Sequence, residues 1–192
     1  MIYKQEWWAE QIYFKELKID LLSLEEKCKE LSKTDKGRKE SNVGGWQSNE
    51  IINPTNDIIE PILKQCKDVL EAITLDFNIK KEYTLKHGNS WININQPNDY
   101  NLDHCHRGSF FSSVFYVKSK DKKAKLVLSM PSGHEKECYF QDFLEEGSRY
   151  TSPRLGYTPQ EGQIIFFPSY LLHHVLPSTE ERISIATNFI IT

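Results

Sequence analysis

The chain has 192 residues, of which 39% are apolar, 27% charged and 12% aromatic, enough apolar bulk to bury a core and so not a disordered chain. A net charge of −3 argues against a surface built to coat nucleic acid or anionic lipid. No run approaches the ~18 apolar residues of a membrane-spanning helix, the N-terminus lacks a signal-like apolar stretch, and the four cysteines form no CxxC pair. The expectation is a soluble cytoplasmic protein with reduced thiols.

In chain order, Leu21 to Ser32 places Leu21, Leu24, Cys28 and Leu31 on one face and predicts a helix. Lys33 to Gly45 reads as a polar loop. Gly44-Gly45-Trp46 then marks a close backbone approach, with packing favoured for Trp46 over substrate contact. Asn56 or Asp57 caps one longer helix, in which Ile58, Ile59, Ile62, Leu63, Cys66, Val69, Leu70 and Ile73 recur at helical spacing. Near residue 82 the pattern changes to short strands. Ser90 to Asn95 alternates, with Trp91, Asn93 and Asn95 opposite Ile92 and Ile94. Pro97-Asn98-Asp99 is a turn, and Phe110 to Lys118 and Lys125 to Met130 are β-rich. Ser132 to Tyr157 is polar with scattered aromatics, either a lid over a site or a solvated insertion. Pro159 to Gly162 turns into a buried strand, Gln163 to Phe167. Pro168-Ser169 interrupts, and Arg182 to Thr192 is a final alternating strand. The expected class is α+β, a single domain over residues 1–192. Its mainly helical N-terminal region, residues 1–81, packs on a double-stranded β-helix, or jelly roll, over residues 82–192.

Four of the six histidines fall in two groups, His104-Cys105-His106 and His173-His174. If the first group begins a strand, His104 and His106 share a face and Cys105 points away. Two imidazoles side by side can chelate a divalent metal, and a third from a distant strand completes a facial triad of the kind that suits non-haem Fe(II). The plainer alternative is a set of surface or hydrogen-bonding histidines. On the last strand Arg182, Ser184, Ala186 and Asn188 share one face, and Ile183, Ile185, Thr187 and Phe189 the other. An arginine and a serine on an inward face make a carboxylate clamp, because the guanidinium fork matches two oxygens. An ordinary salt bridge is the alternative for Arg182 alone.

The run Trp91-x-Asn93, Asn98-Asp99-Tyr100-Asn101-x-x-His104-x-His106-x-Gly108-Ser109 and Ser112-x-Val114-x-Tyr116-Val117 resembles the Fe(II)/2-oxoglutarate oxygenases common in phages and marine bacteria. So do Glu161-Gly162, Phe167-Pro168-Ser169-Tyr170-Leu171-x-His173-x-Val175-x-Pro177 and Arg182-Ile183-Ser184-Ile185 with Asn188. Gly44-Gly45-Trp46-Gln47-Ser48 resembles that family's N-terminal signature, and the layout is more distantly similar to that of prolyl hydroxylases.

The resemblance implies that His104, His106 and His173 are iron ligands, with His173 rather than His174 in the His-x-Val-x-Pro register. It implies that Arg182 meets the distal carboxylate of 2-oxoglutarate beside Ser184. Tyr116 turns toward that carboxylate, and Asn93 makes a looser cosubstrate contact. Tyr100 is either a contact or a packing residue. Most of the superfamily has a carboxylate where this chain has His106. Asp103 has the wrong parity to replace it unless the strand bulges, and Asp99 is more remote.

The implied activity is an Fe(II)- and 2-oxoglutarate-dependent dioxygenase, hydroxylating an unidentified peptide or small molecule and releasing succinate and carbon dioxide. It would act in the host cytoplasm if phage-encoded. No catalytic residue beyond the metal ligands is expected, because metal and cosubstrate carry the hard chemistry. Two other readings stand open. One is a three-histidine or cupin-like metal enzyme without 2-oxoglutarate, which gains if Arg182 and Ser184 face away from the metal. The other is a non-enzymatic virion or partner-binding jelly roll. Neither the substrate nor an oligomeric state is legible in the sequence.

Overall fold

The computed structural model describes residue 3, residues 10–131 and residues 152–192. Two antiparallel sheets dominate it. The first contains β1 (Tyr13–Glu16), β9 (Gln163–Pro168), β6 (Phe111–Lys118), β11 (Arg182–Ile191), β4 (Leu85–Asn95) and β3 (Trp46–Gln47), in that spatial order. The second runs β2 (Asn42–Val43), β5 (Tyr100–His104), β10 (Leu172–Val175), β7 (Leu126–Ser129) and β8 (Arg154–Tyr157). This is the two-sheet layout of the expected jelly roll.

The apolar face predicted for the last strand packs as expected. Ile183, Ile185 and Phe189 share one hydrophobic cluster with Ile92, Phe111, Phe115 and Phe166, and with Leu24 and Cys28 of α1 (Leu21–Thr34). Asp20 caps that helix, its Oδ1 accepting from the Ser23 amide at 3.2 Å. A second cluster, including Tyr116, Leu126, Leu128, Tyr157 and Phe167, packs one sheet against the other. Fully burying a phenylalanine contributes about 1.5–3 kcal/mol, and Phe111, Phe115, Phe166, Phe167 and Phe189 are all fully buried.

The single helix expected after Asn56 is two helices, α2 (Glu60–Gln65) and α3 (Lys67–Asp76). Asn56 makes an Asx turn instead of a cap, its Oδ1 accepting from the Ile58 amide at 3.0 Å, and Pro61 sits in the first turn of α2. The break falls at Cys66, whose amide reaches back only three residues, to Leu63 O at 3.1 Å. Tightening one turn rotates the helix axis yet keeps Ile62, Cys66, Val69 and Ile73 buried. The predicted loop gives up its first residues to α1 and contains β2, and the close approach expected at its end is present: Gly44 and Gly45 have φ of 71° and 61°, and a Cβ on Gly45 would meet the Ile94 carbonyl oxygen at 2.9 Å. Trp46 is structural, its indole N–H donating to Asp35 O at 3.0 Å.

Two further expectations change. His104-Cys105-His106 does not begin a strand: His104 is the last residue of β5, and His106 lies beyond it. Of the polar segment Ser132 to Tyr157, the lid reading falls on residues 132–151, outside the described residues. Its end is not loop, since β8 pairs with β7 through Leu126↔Tyr157 and Ser129↔Arg154.

Candidate metal centre

Between the sheets lies a cavity of about 420 Å³. Its floor is the inner face of the first sheet, laid out in rungs by the strand register. Arg182 pairs with Asn95. The next rung runs Tyr116, Ser184, Asn93 and Gln47, followed by Val114, Ala186 and Trp91, then Ser112, Asn188 and Asn89. Because β-strand side chains alternate, one register decision on β11 places all four of its inward residues in the cavity.

The histidines come from the second sheet. His104 and His173 are directly opposite in the β5–β10 pair, with ring centroids 4.2 Å apart. His106 is held beyond the strand end by its amide, which donates to Ser169 O at 2.9 Å. Its ring lies 5.2 Å from that of Trp91, and one nitrogen from each of the three histidines lies within 4.8 Å of the others. His104 and His106 therefore do converge, but through the loop after β5 and not through strand alternation, and Cys105 lines the cavity as well.

The tautomers follow from the partners. The Nδ1 atoms of His104 and His173 face the carbonyl oxygens of Leu102 and Leu171, at 2.7 and 2.8 Å. A carbonyl only accepts, so each Nδ1 carries the proton and each Nε2 presents a lone pair. That is the usual second-sphere arrangement of a metal-binding imidazole. His106 Nε2 stands 3.1 Å from His173 Nε2 and donates to it. Burial, and then the neighbouring His104, push His173 down to about 3 and His106 down to about 4. Burial also lowers His104. All three are neutral at pH 7, the form in which histidine ligates.

His174 points elsewhere, its Nδ1 donating to Asp103 Oδ1 at 2.7 Å. Asp103 is thereby committed to His174, and Asp99 accepts from the Gln96 amide at 2.6 Å. Neither belongs to the three-histidine group.

Arg182 is 2% exposed. Its Nη2 donates to Asn95 Oδ1 at 3.0 Å, while Nε and Nη1 are buried without a partner among the described residues. Burial lowers its pKa, opposed by Tyr116 and Asp99. Leaving two N–H groups of a buried cation unpaired is costly, and an anion entering the cavity could satisfy both. Tyr116 stands close enough to feel that charge: burial raises its pKa and Arg182 lowers it. Asn93 Oδ1 is also buried and has no partner among the described residues. Arg182, Ser184, Tyr116 and Asn93 line the same cavity as the three histidines. Tyr100 does not line it and instead pairs with Val43. A donor set of three neutral imidazoles clustered on the cavity, with an unsatisfied guanidinium beyond, fits a divalent metal and a dicarboxylate together.

Sequence reasoning missed the contribution of the N-terminal region. Arg38, Glu40, Glu50 and Gln47 line the cavity. Arg38 Nη1 donates to Glu50 Oε1 at 2.8 Å, and its guanidinium also pairs with Glu40. Strands of two residues, such as β3, are too short for alternation to reveal which side chain faces in.

The 2OG-Fe(II) oxygenase family model matches residues 89–188, just over half of the chain. No curated protein matches. Among solved structures, a Pseudomonas putida prolyl-4-hydroxylase superposes with TM-score 0.64 at 16% identity, covering 95% of this chain and 93% of that one. The viral collagen prolyl hydroxylase of Paramecium Bursaria Chlorella virus-1, in complex with 2-oxoglutarate, gives 0.59 at 15% identity, with 93% and 94% covered. A Trichoplax adhaerens prolyl hydroxylase, in complex with a hypoxia inducible factor peptide fragment, gives 0.64 at 12%, with 93% and 83% covered. At these identities the likeness is one of fold. The chain belongs to the 2OG-Fe(II) oxygenase family. Its metal is iron(II) and its cosubstrate 2-oxoglutarate.

Proposed function

We propose that the protein is an Fe(II)- and 2-oxoglutarate-dependent dioxygenase that hydroxylates a peptide or small molecule. In this reading His104, His106 and His173 hold the iron. Arg182, with Ser184 and Tyr116, holds the distal carboxylate of 2-oxoglutarate, and Asn93 adds a contact. Bound together, iron and cosubstrate supply the oxidising chemistry: 2-oxoglutarate, dioxygen and a C–H bond become succinate, carbon dioxide and an alcohol. The protein's own role is placement. Leu102 O and Leu171 O fix the imidazole planes, Asn95 fixes the guanidinium, and the second hydrophobic cluster keeps water from the Arg182 end of the cavity. Peptide substrates are suggested by the prolyl hydroxylases among the structures of like fold. Action in the cytoplasm belongs to the same reading. No helix among the described residues is long and apolar enough to cross a membrane.

The observation that carries this reading is Arg182, buried in the cavity that the histidines line, with Nε and Nη1 both unpartnered among the described residues. The enzyme without 2-oxoglutarate would gain if Arg182 and Ser184 faced away from the metal site, and both line the cavity that the histidines line. Arg182→Met keeps much of the stem's packing and removes the charge. It is expected to bind metal normally and to lose about 2–4 kcal/mol of 2-oxoglutarate affinity, the scale of breaking a buried charge pair. The measurement is a titration of the visible charge-transfer band of the anaerobic Fe(II)–2-oxoglutarate complex. Equal titration of wild type and variant removes Arg182 as the anchor, and a wild type that binds iron but shows no band removes the dioxygenase reading.

A further inference from the structure

We propose that Asn89 is a specificity-determining contact for a substrate that presents a carbonyl or carboxylate oxygen, and that a hydrogen-bond relay beginning at Ser169 fixes its orientation. The inference rests on the dioxygenase reading of the site. It starts from the Ser of the Phe167-Pro168-Ser169 run, which the metal and cosubstrate contacts leave without a role.

Ser169 is fully buried, and its hydroxyl has one partner among the described residues, Ser112 Oγ at 2.7 Å. A hydroxyl with a single neighbour must donate to it, or its proton goes unmatched in the interior. Ser112 then donates its own proton to Asn188 Oδ1, at 2.8 Å. With its oxygen so defined, Asn188 uses Nδ2 to donate to Asn89 Oδ1 at 3.0 Å. The end of the chain is therefore determined. The Asn89 carbonyl is occupied, and its Nδ2, on a residue that lines the cavity, has no protein partner among the described residues. An amide nitrogen only donates, so it selects an acceptor.

Position separates this acceptor from 2-oxoglutarate. The inward residues of β11 are Arg182, Ser184, Ala186 and Asn188, and Ala186 pairs with Trp91, whose ring touches that of His106. The histidines thus meet the floor near the Ala186–Trp91 rung. Arg182 lies two rungs to one side, and Asn188 with Asn89 one rung to the other. Arg182 and Asn188 are six residues apart, about 20 Å along an extended strand, too far for one five-carbon diacid to reach both. Whatever meets Asn89 is a second ligand on the far side of the metal site. The same Ser169 that starts the relay accepts the His106 amide through its carbonyl, so substrate contact and candidate ligand share one anchor.

The test follows the side-chain amide protons of Asn89 by NMR in the full chain loaded with Zn(II), a diamagnetic stand-in, and 2-oxoglutarate. Loss in Asn89→Asp assigns the signal. The probes are N-methylacetamide, acetate and methylammonium. The expected result is a saturable shift with N-methylacetamide or with acetate, the responding probe telling carbonyl from carboxylate, and none with methylammonium. Asn89→Asp, read from the neighbouring Asn188 side-chain amide protons, should reverse that preference. Ser169→Ala should weaken the responding probe about tenfold, the scale of one hydrogen bond, while Ser169→Thr, which keeps the hydroxyl, should not. A wild type that answers only methylammonium, or no probe, overturns the proposal. So does an unchanged affinity in Ser169→Ala. If that variant does not fold, the Asn89→Asp reversal decides alone. A titration of 2-oxoglutarate on the same sample comes first: failure to saturate overturns the dioxygenase reading, and saturation with a silent Asn89 overturns only this inference.

Discussion

His173 and His174 are neighbours on β10, and strand alternation alone separates their fates. One imidazole points into the cavity with its Nδ1 proton donated to Leu171 O, at 2.8 Å. The other pairs with Asp103 at 2.7 Å, outside the group of three. Replacing His104, His106 or His173 by alanine, one at a time, should therefore lower Mn(II) or Fe(II) affinity by about a hundredfold or more, since losing even an outer partner of a ligand costs 10–100-fold. His174→Ala should change it less than about twofold. Anaerobic calorimetric titration distinguishes these outcomes, and equal losses at 173 and 174 would reassign the third ligand. Three neutral nitrogens leave the metal more positive than two histidines and a carboxylate, which favours a dianionic cosubstrate.

At the level of elements, β11 is tied at its entrance by Glu181. Its carboxylate meets Lys118 of β6 at 2.9 Å, Lys29 of α1 at 3.0 Å and the Gln96 side chain at 3.1 Å. Burial alone would raise its pKa, but the hydrogen bonds from Lys118, Lys29 and Gln96 outweigh that and hold it at about 2. A carboxyl with a depressed folded pKa stabilises fully above its unfolded value, near 4.5. That contribution is lost as pH falls through the folded value. Solvent still reaches the group, so screening discounts the interaction to about 1 kcal/mol. Glu181→Gln is expected to lower stability by that amount at pH 7, with the difference shrinking between about pH 4.5 and pH 2. Urea unfolding across that range measures it, and a difference independent of pH would remove the ion pairs as its cause.

On the scale of the whole molecule, the two sheets are joined at one edge by Gly44 and Gly45. This turn carries the chain from β2, in the sheet of the histidines, to β3, in the sheet of Arg182. At Gly45 φ is 61°, and an added Cβ would meet the Ile94 carbonyl oxygen at 2.9 Å. For a residue with a side chain, the left-handed conformation and the clash together cost about 1–3 kcal/mol. Gly45→Ala should lower the urea midpoint accordingly. It should also weaken 2-oxoglutarate binding more than metal binding, because the carbonyl it would strike is that of Ile94, next to Asn93 on β4, whereas of the three histidines only His104 lies on the strand beside β2. Equal effects on both ligands would show that the turn does not set the sheet spacing.

Short-range pattern was sufficient for much of this. The period of Leu21 to Ser32 marked α1, the alternation of Ser90 to Asn95 and of Arg182 to Thr192 marked the floor strands, and parity on β11 put Arg182, Ser184 and Asn188 on one face. These are properties of one segment and its burial, so they survive without knowledge of partners. The convergence of His104, His106 and His173 was legible only through motif order, since His106 lies beyond the end of β5 and strand parity does not reach it. β5 carries a polar sequence that forms a strand because β2 and β10 offer it hydrogen bonds on both sides. The break at Cys66, the two-residue strands β2 and β3, and the entry of Arg38 and Gln47 into the cavity likewise depend on contacts between residues far apart in the chain. Local propensity carries no record of such contacts. The unpaired N–H groups of Arg182 and the direction of the relay from Ser169 to Asn89 are decided by which partners the packed interior supplies and which it withholds, and only the tertiary structure sets that.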